Sequence, residues 1–339
     1  MELEKLRKLH PQHWEKANAI RVLTLDAVAA ANSGHSGMPV GMADVATILF
    51  EKHLKFSTAQ PNWPDRDRFI LSAGHGSMLL YSIAYLCGYA DFDIDQLKNF
   101  RQLGKKTAGH PENFLSDVIE TTTGPLGQGI ANSVGFAIAE ESLRARFGRN
   151  IIDHHTFVIA GDGCLMEGVS QEAISLAGHL RLHKLIVFWD NNNITIDGTV
   201  DLTDSTDQKT RFEASGWEVI EIDGHDPEEI DSAISAAKKS EKPTMIACKT
   251  HIAIGTAAQD TSKGHGALTD PELIKNAREV YQWSHKPFDI PKSIKEQWEQ
   301  AGLEGHKAFK RWQSKLENLS NSKRKEFERI FSGDAPKKL

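Results

Sequence analysis

Apolar residues recur at helical spacing in some parts of this chain and form short continuous runs in others, and the helical spacing predicts helices. In residues 11–31 the apolar side chains recur at helical spacing, and Pro11 stands at the start, a position that proline favours. The pattern therefore predicts a helix over residues 11–31. The same criterion predicts further helices over residues 40–50, 78–86, 129–146, 167–180, 205–215 and 227–238.

Short apolar runs between these helices predict strands. They cover residues 68–71, 155–160, 184–189, 217–222 and 243–249. Strands that alternate with helices indicate the α/β class, with a doubly wound, mainly parallel sheet and helices on both faces. Ligands of such sheets bind beyond the carboxyl ends of the strands. We therefore expect the functional site in the loops at residues 72–77, 161–168, 190–198 and 250–265.

The last part of the chain has a different character, because it is Lys-rich and strongly charged from about residue 291. One helical face stays apolar, and we expect it to be docked on the body rather than left free. That face carries Phe309, Trp312, Leu316 and Leu319. We predict a main domain over residues 1–290 and a helical linker over 291–339, whose last residues, 332–339, form a linker or a fraying end.

Composition excludes some classes of function and changes the fold prediction little. The 339 residues are 40% hydrophobic and 25% charged, as in ordinary soluble globular proteins. A net charge of −6 argues against nucleic-acid binding. No apolar stretch approaches membrane-spanning length, and the N-terminus does not resemble a signal peptide. The three cysteines have no metal-binding or disulfide spacing, so we expect a cytoplasmic protein.

The main candidate site consists of an acidic turn and an asparagine. The asparagine follows the turn at about the length of one strand–helix–strand unit. Asp162 lies between two glycines after the strand predicted at 155–160, and Asn192 follows the strand predicted at 184–189. This spacing places both oxygen-bearing side chains at one edge of a parallel sheet. Mg²⁺ prefers such oxygen ligands and often shares them with phosphate groups. The sequence predicts a metal site that holds a phosphorylated cofactor, with a backbone carbonyl near Ile194 as a further ligand.

Two other features surround this candidate site. The glycine-rich segment at residues 121–129 opens a predicted helix, where backbone N–H groups can bind a diphosphate. Of the 15 histidines, four lie beside glycine in loops: His35, His75, His110 and His265. A single loop histidine is more often incidental than catalytic, but four in such positions favour a proton-transfer site.

Four sequence motifs, in the same order along the chain, resemble those of transketolases. They are Ser-Gly-His-Ser-Gly-Met-Pro at 33–39, Ser-Ala-Gly-His-Gly at 72–76, Thr-Gly-Pro-Leu-Gly-Gln-Gly at 123–129 and Gly-Asp-Gly-Cys-Leu-Met-Glu-Gly at 161–168. The resemblance extends from about Asn18 to Trp312. It implies thiamine diphosphate as the cofactor and two-carbon ketol transfer between sugar phosphates, a reaction of the pentose phosphate pathway.

The resemblance also implies a role for each matching residue. The metal, Mg²⁺ or Ca²⁺, would be held by Asp162, Asn192 and the carbonyl of Ile194. Contacts to thiamine diphosphate would come from His75, Gly124, Pro125, Leu126, Gly163, Asn192 and His265. The sugar would be bound by His35, His110 and His265, which would also assist proton transfer. Glu167 would lie at a subunit interface.

The chain departs from the family in length, because a full transketolase is about twice as long. No segment resembles the pyrimidine-binding domain, which carries the glutamate that activates the cofactor. The resemblance therefore implies an N-terminal half that needs a C-terminal half, in a homo- or hetero-oligomer. The sequence leaves open whether the chain is a split-gene subunit, a truncation or a solitary domain.

Two alternatives remain at this point. The chain could be a catalytically incomplete module that binds the cofactor or a partner protein without turnover. It could also belong to another thiamine enzyme, of which a dihydroxyacetone synthase is the hardest to exclude. Deoxyxylulose phosphate synthases and 2-oxoacid dehydrogenases share the metal turn, but the motifs at 33–39 and 123–129 are not expected together in them.

Overall fold

A five-stranded parallel sheet forms the centre of the computed structural model, which describes residues 1–336. The strands are β1 (Arg68–Leu71), β2 (Thr156–Gly161), β3 (Leu185–Asn191), β4 (Glu218–Asp223) and β5 (Thr244–Lys249). Their order in the sheet is β1-β2-β3-β5-β4. The predicted fold class is confirmed, and the predicted strands differ from the observed ones by two residues or fewer.

The register of the strands brings their carboxyl ends to one level. Gly161 of β2 pairs with Asp190 of β3, and Asn191 pairs with Lys249 of β5. β2 and β3 are buried along nearly their whole length, as expected for central parallel strands that are covered by helices on both faces. The loops that follow β2, β3 and β5 therefore emerge side by side at one edge of the sheet.

Helices surround the sheet. Those in the first part of the chain are α1 (Leu3–Leu9), α2 (Pro11–Ala31), α3 (Gly37–Gly41), α4 (Ala43–Ile48), α5 (Met78–Cys87), α6 (Ile94–Lys98) and α7 (Gln128–Phe147). Those that follow are α8 (Asp162–Met166), α9 (Gly168–His179), α10 (Gln208–Ala214), α11 (Pro227–Ala237), α12 (Pro271–Val280), α13 (Lys292–Glu317) and α14 (Asn321–Phe331).

Helix α2 has the predicted bounds, but more of its surface is buried than a single apolar stripe would require. Pro11 is its first residue, and Asn32 ends it in the left-handed conformation with φ 47°. Packing against α1, α4, α5 and α6 buries polar side chains on α2 as well, among them Asn18 and Arg21. These groups need hydrogen-bond partners inside the protein.

Two predicted helices are divided in the structure. The segment predicted as a helix at 40–50 forms α3, α4 and a π-helical turn at Leu49–His53. The helix predicted at 167–180 begins earlier, at Asp162, and is interrupted at Glu167, which has extended backbone angles of φ −68° and ψ 139°. Helical spacing of apolar residues continues across such breaks, so the pattern cannot locate them.

The C-terminal helices pack on the body of the protein, as expected for their apolar face. The indole of Trp312 lies 6.0 Å from that of Trp63, and its Nε1 donates to the carbonyl of Ile151 at 2.7 Å. Phe327 of α14 contacts Phe147 at the end of α7, with ring centroids 5.1 Å apart. The division into domains at residue 290 stays a prediction. Part of the predicted terminal linker, residues 337–339, lies outside the described residues.

Within residues 1–336, no helix is both long enough and apolar enough to span a bilayer. The cysteines Cys87, Cys164 and Cys248 are buried free thiols. The cytoplasmic location remains a prediction.

Candidate cofactor site and active site

A cleft of about 550 Å³ lies at the carboxyl edge of the sheet. Ten of the site residues predicted from sequence line it: His35, His75, His110, Gly124, Leu126, Asp162, Gly163, Asn192, Ile194 and His265. Pro125 and Glu167 are exposed and do not line it. The structure thus brings together residues from seven separate segments of the chain.

Asp162 is a buried carboxylate at the end of β2 and the first residue of α8. It is 7% exposed, and its Oδ1 accepts a hydrogen bond from Nε1 of Trp189 at 2.9 Å. Burial raises the pKa of Asp162 to about 6. In the part of the chain that the structure describes, no Lys, Arg or His forms an ion pair with it. A buried carboxylate without a cation suits a divalent metal ion.

Asn192 is held in place by its neighbours in the loop after β3. Its Nδ2 donates to Oδ2 of Asp190 at 2.9 Å, and its Oδ1 accepts from the backbone N–H of Ile194 at 2.9 Å. An amide oxygen has a second lone pair, which leaves it able to bind a metal as well. The predicted ligands Asp162, Asn192 and Ile194 all line the cleft.

Asp190 is a site residue to which the sequence analysis assigned no role. It is fully buried, and its Oδ1 accepts from the hydroxyl of Thr250 while its Oδ2 orients the amide of Asn192. Burial raises the pKa of Asp190 to about 7. The sequence did contain a signal for a role of Asp190. An acidic residue that ends a buried strand two positions before a candidate ligand rarely lacks a partner.

The donor set fits a metal that arrives with a phosphorylated ligand. Across residues 1–336, no group of three or more His, Cys, Asp and Glu side chains is arranged to hold a metal ion. As ligands, Asp162 and Asn192 together with one backbone carbonyl would leave coordination positions free on an octahedral Mg²⁺. Phosphate oxygens are the usual occupants of such positions.

Three imidazoles converge above this edge from three loops. The ring centroids lie 5.1 Å apart for His35 and His75, 5.4 Å for His35 and His265, and 5.0 Å for His75 and His265. Burial, followed by the mutual proximity of these rings, lowers the pKa of His35 to about 4 and that of His75 to about 3. At neutral pH both are therefore uncharged and can donate one hydrogen bond and accept another.

Two of the histidines have features that suit ligand contact. The Nδ1 atom of His35 is buried without a hydrogen-bond partner among residues 1–336. His110 lies beside the glycine-rich loop, where a Cβ atom on Gly124 would come within 3.1 Å of the imidazole ring. Burial also lowers the pKa of both His110 and His265.

Glycines allow the backbone segments around the cleft to approach one another. A Cβ atom on Gly74 would lie 2.7 Å from the backbone nitrogen of Gly124, so the turn after β1 and the glycine-rich loop touch. Gly124 itself has φ 142°, and Gly127, which precedes α7, has φ 81°. Backbone N–H groups at the start of a 20-residue helix suit a diphosphate.

Comparisons with known proteins place this arrangement in a family. The sequence profile described as "Transketolase, thiamine diphosphate binding domain" matches residues 12–336. The transketolase of Rhodobacter capsulatus is 57% identical over 99% of this chain, and that of Cereibacter sphaeroides is 55% identical over 90%. The chain covers 50% and 47% of those two proteins, so it spans about half the length of the curated relatives that it matches.

Solved structures agree with the sequence relatives. The crystal structure of transketolase from Campylobacter jejuni has a TM-score of 0.91 and 44% identity, and the match covers 94% of this chain and 50% of that one. A Pichia stipitis transketolase solved in complex with sedoheptulose 7-phosphate has a TM-score of 0.93 and 40% identity, with 96% and 50% covered. The chain therefore belongs to the transketolase thiamine diphosphate-binding domain family and corresponds to the N-terminal half of a transketolase.

Proposed function

We propose that this chain is the diphosphate- and metal-binding part of an enzyme that transfers two-carbon ketol groups between sugar phosphates. The observation that carries the proposal is the convergence of His35, His75 and His265 in the same cleft as Asp162 and Asn192. Metal ligands and neutral proton carriers are thereby available to one bound cofactor and its substrate.

The metal and the diphosphate bind at the sheet edge. Asp162, Asn192 and the carbonyl of Ile194 hold Mg²⁺ or Ca²⁺, which compensates the buried charge of Asp162. The loop 124–126 and Gly163 contact the diphosphate, and His75 and His265 contact the cofactor deeper in the cleft. Bound thiamine diphosphate supplies the electron sink that a carbon–carbon cleavage requires.

The histidines act on the sugar. His35 offers a buried, unpartnered Nδ1 to a hydroxyl or carbonyl oxygen, and His110 and His265 complete the hydrogen bonding. Their lowered pKa values keep them neutral, so each can accept a hydroxyl proton and return it. Sugar phosphates are the proposed substrates, as in the Pichia stipitis complex with sedoheptulose 7-phosphate.

Turnover requires a second part that binds the pyrimidine ring, either in a partner chain or in a full-length protein. The rim of the cleft supports this requirement, because Ile196 and Leu202 line it and are 69% and 68% exposed. Large apolar side chains at such a rim are typical of a surface that another protein segment covers. Glu167, exposed between α8 and α9, is proposed to lie at the same kind of interface.

Calorimetry with thiamine diphosphate and Mg²⁺ tests the binding part of this proposal. We expect metal-dependent binding by the chain and at least a roughly tenfold weaker affinity in Asp162→Ala, since a liganding carboxylate is lost. Asp201→Ala, which removes an exposed carboxylate near the cleft but outside its lining, is the control and should bind as the wild type does. Equal affinity of wild type and Asp162→Ala would refute the metal site.

A further inference from the structure

A buried polar network lies behind the cleft, and it includes a histidine that none of the roles proposed above involves. Asp44 of α4 is fully buried and accepts hydrogen bonds from three side chains. Its Oδ1 lies 2.9 Å from Nε2 of His13, and its Oδ2 lies 2.8 Å from Nδ1 of His225 and also accepts from Arg21. Arg21 and these contacts hold the pKa of Asp44 well below its usual range.

An ionised Asp44 determines the tautomer of His225. A carboxylate can only accept hydrogen bonds, so Nδ1 of His225 must carry the proton that it donates. The other ring nitrogen, Nε2, lies 3.0 Å from the backbone nitrogen of His251 and accepts its N–H. A peptide N–H can only donate, so Nε2 must be without a proton. Both contacts are satisfied together only by a neutral His225.

His251 is the second residue after β5, at the start of the loop that carries His265. The imidazoles of His225 and His251 are stacked, with centroids 5.7 Å apart and 9° between the ring planes. The same loop is joined to the segment that carries His35. Ala253 donates its N–H to the carbonyl of Gly37 at 3.1 Å, and Ser36 donates to the carbonyl of Gly266 at 2.9 Å.

The approach of these two segments leaves little room for adjustment. A Cβ atom on Gly37 would lie 2.3 Å from the carbonyl oxygen of Gly264, and one on Gly41 would lie 2.9 Å from that of His251. Ala253 has a left-handed backbone with φ 49°, which the surrounding contacts must maintain. We therefore expect a shift at His251 to move His265, one residue beyond Gly264.

We propose that His225 is a positioning residue, whose unprotonated Nε2 holds the peptide of His251 and thereby sets His265 against His35. The catalytic consequence of this contact rests on the function proposed above, whereas the contact itself does not. His225 touches neither the cleft nor a proposed ligand of the metal, and it acts only through the loop.

Protonation of His225 would add a proton at Nε2, so this N–H would face the backbone N–H of His251 and the hydrogen bond between them would be lost. Burial lowers the pKa of His225, and the contact with Asp44 opposes that shift. The charged and titratable groups that face this imidazole are Asp44, Arg21, His13, Asp223, His251 and the N-terminal amine. Acid should therefore weaken the contact only below the usual titration range of histidine.

The contact can be tested on the intact chain without any activity. ¹⁵N NMR of the histidine rings should show His225 protonated at Nδ1 and bare at Nε2. The variants His225→Gln and His225→Asn separate the two contacts, because a glutamine amide reaches the Nε2 position and an asparagine amide reaches that of Nδ1. Exchange of the His251 amide should stay slow in the glutamine variant and become roughly tenfold faster in the asparagine variant.

His13→Ala is the matched control, since it also removes a donor from Asp44, whereas among the described residues the His13 side chain forms no hydrogen bond with the loop. It should leave exchange at His251 unchanged. With a cognate C-terminal half supplied, we expect kcat to fall at least about tenfold in His225→Asn, with KM nearly unchanged, and to be largely retained in His225→Gln.

Several results would overturn the proposal. A protonated Nε2 in the wild type would remove its basis, and so would equal exchange in the two His225 variants or an equal effect of His13→Ala. Failure of the wild-type chain to support ketol transfer would instead count against the proposed function. The tautomer and exchange results would still decide whether His225 anchors the loop.

Discussion

Asp162 carries a charge that no group in the described part of the chain neutralises. It lies at the end of β2 with its Oδ1 engaged by Trp189, and burial raises its pKa. Burying an unpaired carboxylate costs free energy, which a bound cation would recover. At the residue scale, the proposed function thus predicts that the Asp162 carboxylate destabilises the ligand-free chain but is needed to bind the metal.

Asp162→Asn should make the destabilising effect of this carboxylate measurable. The asparagine oxygen can still accept from Trp189, while the buried charge is gone, so the ligand-free variant should be more stable by about 1–3 kcal/mol. Urea unfolding measures the free energy of unfolding in the absence of cofactor and metal. Asp201→Asn, at an exposed position, should change that free energy by less than about 0.5 kcal/mol. A less stable Asp162→Asn variant would contradict the buried-charge argument.

His75 should make stability depend on pH. Burial and the neighbouring imidazoles lower its pKa from 6.5 to about 3 in the folded chain. Between these values the unfolded chain binds a proton that the folded chain does not, so the contribution of His75 is complete above pH 6.5 and is lost as the pH falls toward 3. His75→Gln should therefore flatten the decline of unfolding free energy on acidification below pH 6.5.

The control for this titration is His179→Gln, which removes an exposed imidazole at the end of α9. Urea unfolding at a series of pH values measures both variants. The same slope in wild type and His75→Gln would show that His75 titrates alike in the folded and unfolded chains.

Ten of the twelve site residues predicted from sequence line the cleft, because these residues lie next to glycines or at predicted strand ends. Asp190 and His225 received no role. Their importance depends on contacts with Thr250 and with Asp44, which are 60 and 181 residues away along the chain. Such partners follow from the packing of distant elements, which a local pattern cannot predict.

At the scale of elements, local sequence signals predict the ends of a helix, whereas helix breaks and strand order depend on packing. The bounds of α2 were predictable because Pro11 and Asn32 mark its ends. The break at Glu167 was not, since one extended residue leaves the apolar spacing intact. The strand order β1-β2-β3-β5-β4 could also not be predicted from the apolar pattern, because each strand's neighbours depend on how the connecting helices pack.

Two glycines of α7 should respond in opposite ways to the same substitution. A Cβ atom on Gly129 would lie 2.5 Å from the Cα of Ser72, so Gly129→Ala should push the start of α7 away from the turn after β1 and cost about 1–3 kcal/mol. Gly135 has no neighbour within 4 Å of such an atom in the described part of the chain, so Gly135→Ala should stabilise the helix by about 0.5–1 kcal/mol. Thermal unfolding of both variants checks the signs, and a stabilising Gly129→Ala would contradict the close approach.

The attachment of α13 depends on Trp312. Removing this indole in Trp312→Ala eliminates its contacts with Trp63 and Ile151, and should cost about 3–5 kcal/mol. Amide exchange should accelerate in α13 and α14 and remain slow in β2 and β3 if the tail opens as its own unit. Leu303→Ala alters an exposed position of the same helix and serves as the control. Uniform acceleration throughout the sheet would show that the tail is not a separate cooperative unit.

At the scale of the whole molecule, we propose that the cleft is one part of a larger site. The chain spans about half the length of its curated relatives, and the apolar side chains at the rim of the cleft are exposed. The residues proposed to anchor the cofactor and the histidines proposed to bind the substrate lie within residues 1–336. The group that activates the cofactor is proposed to come from the other half.

Ketol transfer measured with and without a C-terminal transketolase half tests this central claim most directly. The purified chain, supplied with thiamine diphosphate, Mg²⁺ and sugar phosphates, should show no transfer alone and should gain transfer when the C-terminal half of a relative such as the Rhodobacter capsulatus transketolase is added. The same mixture with Asp162→Asn should remain inactive. Transfer by the chain alone would contradict the need for a second half, and a stable but inactive mixture of wild-type halves would contradict the proposed function.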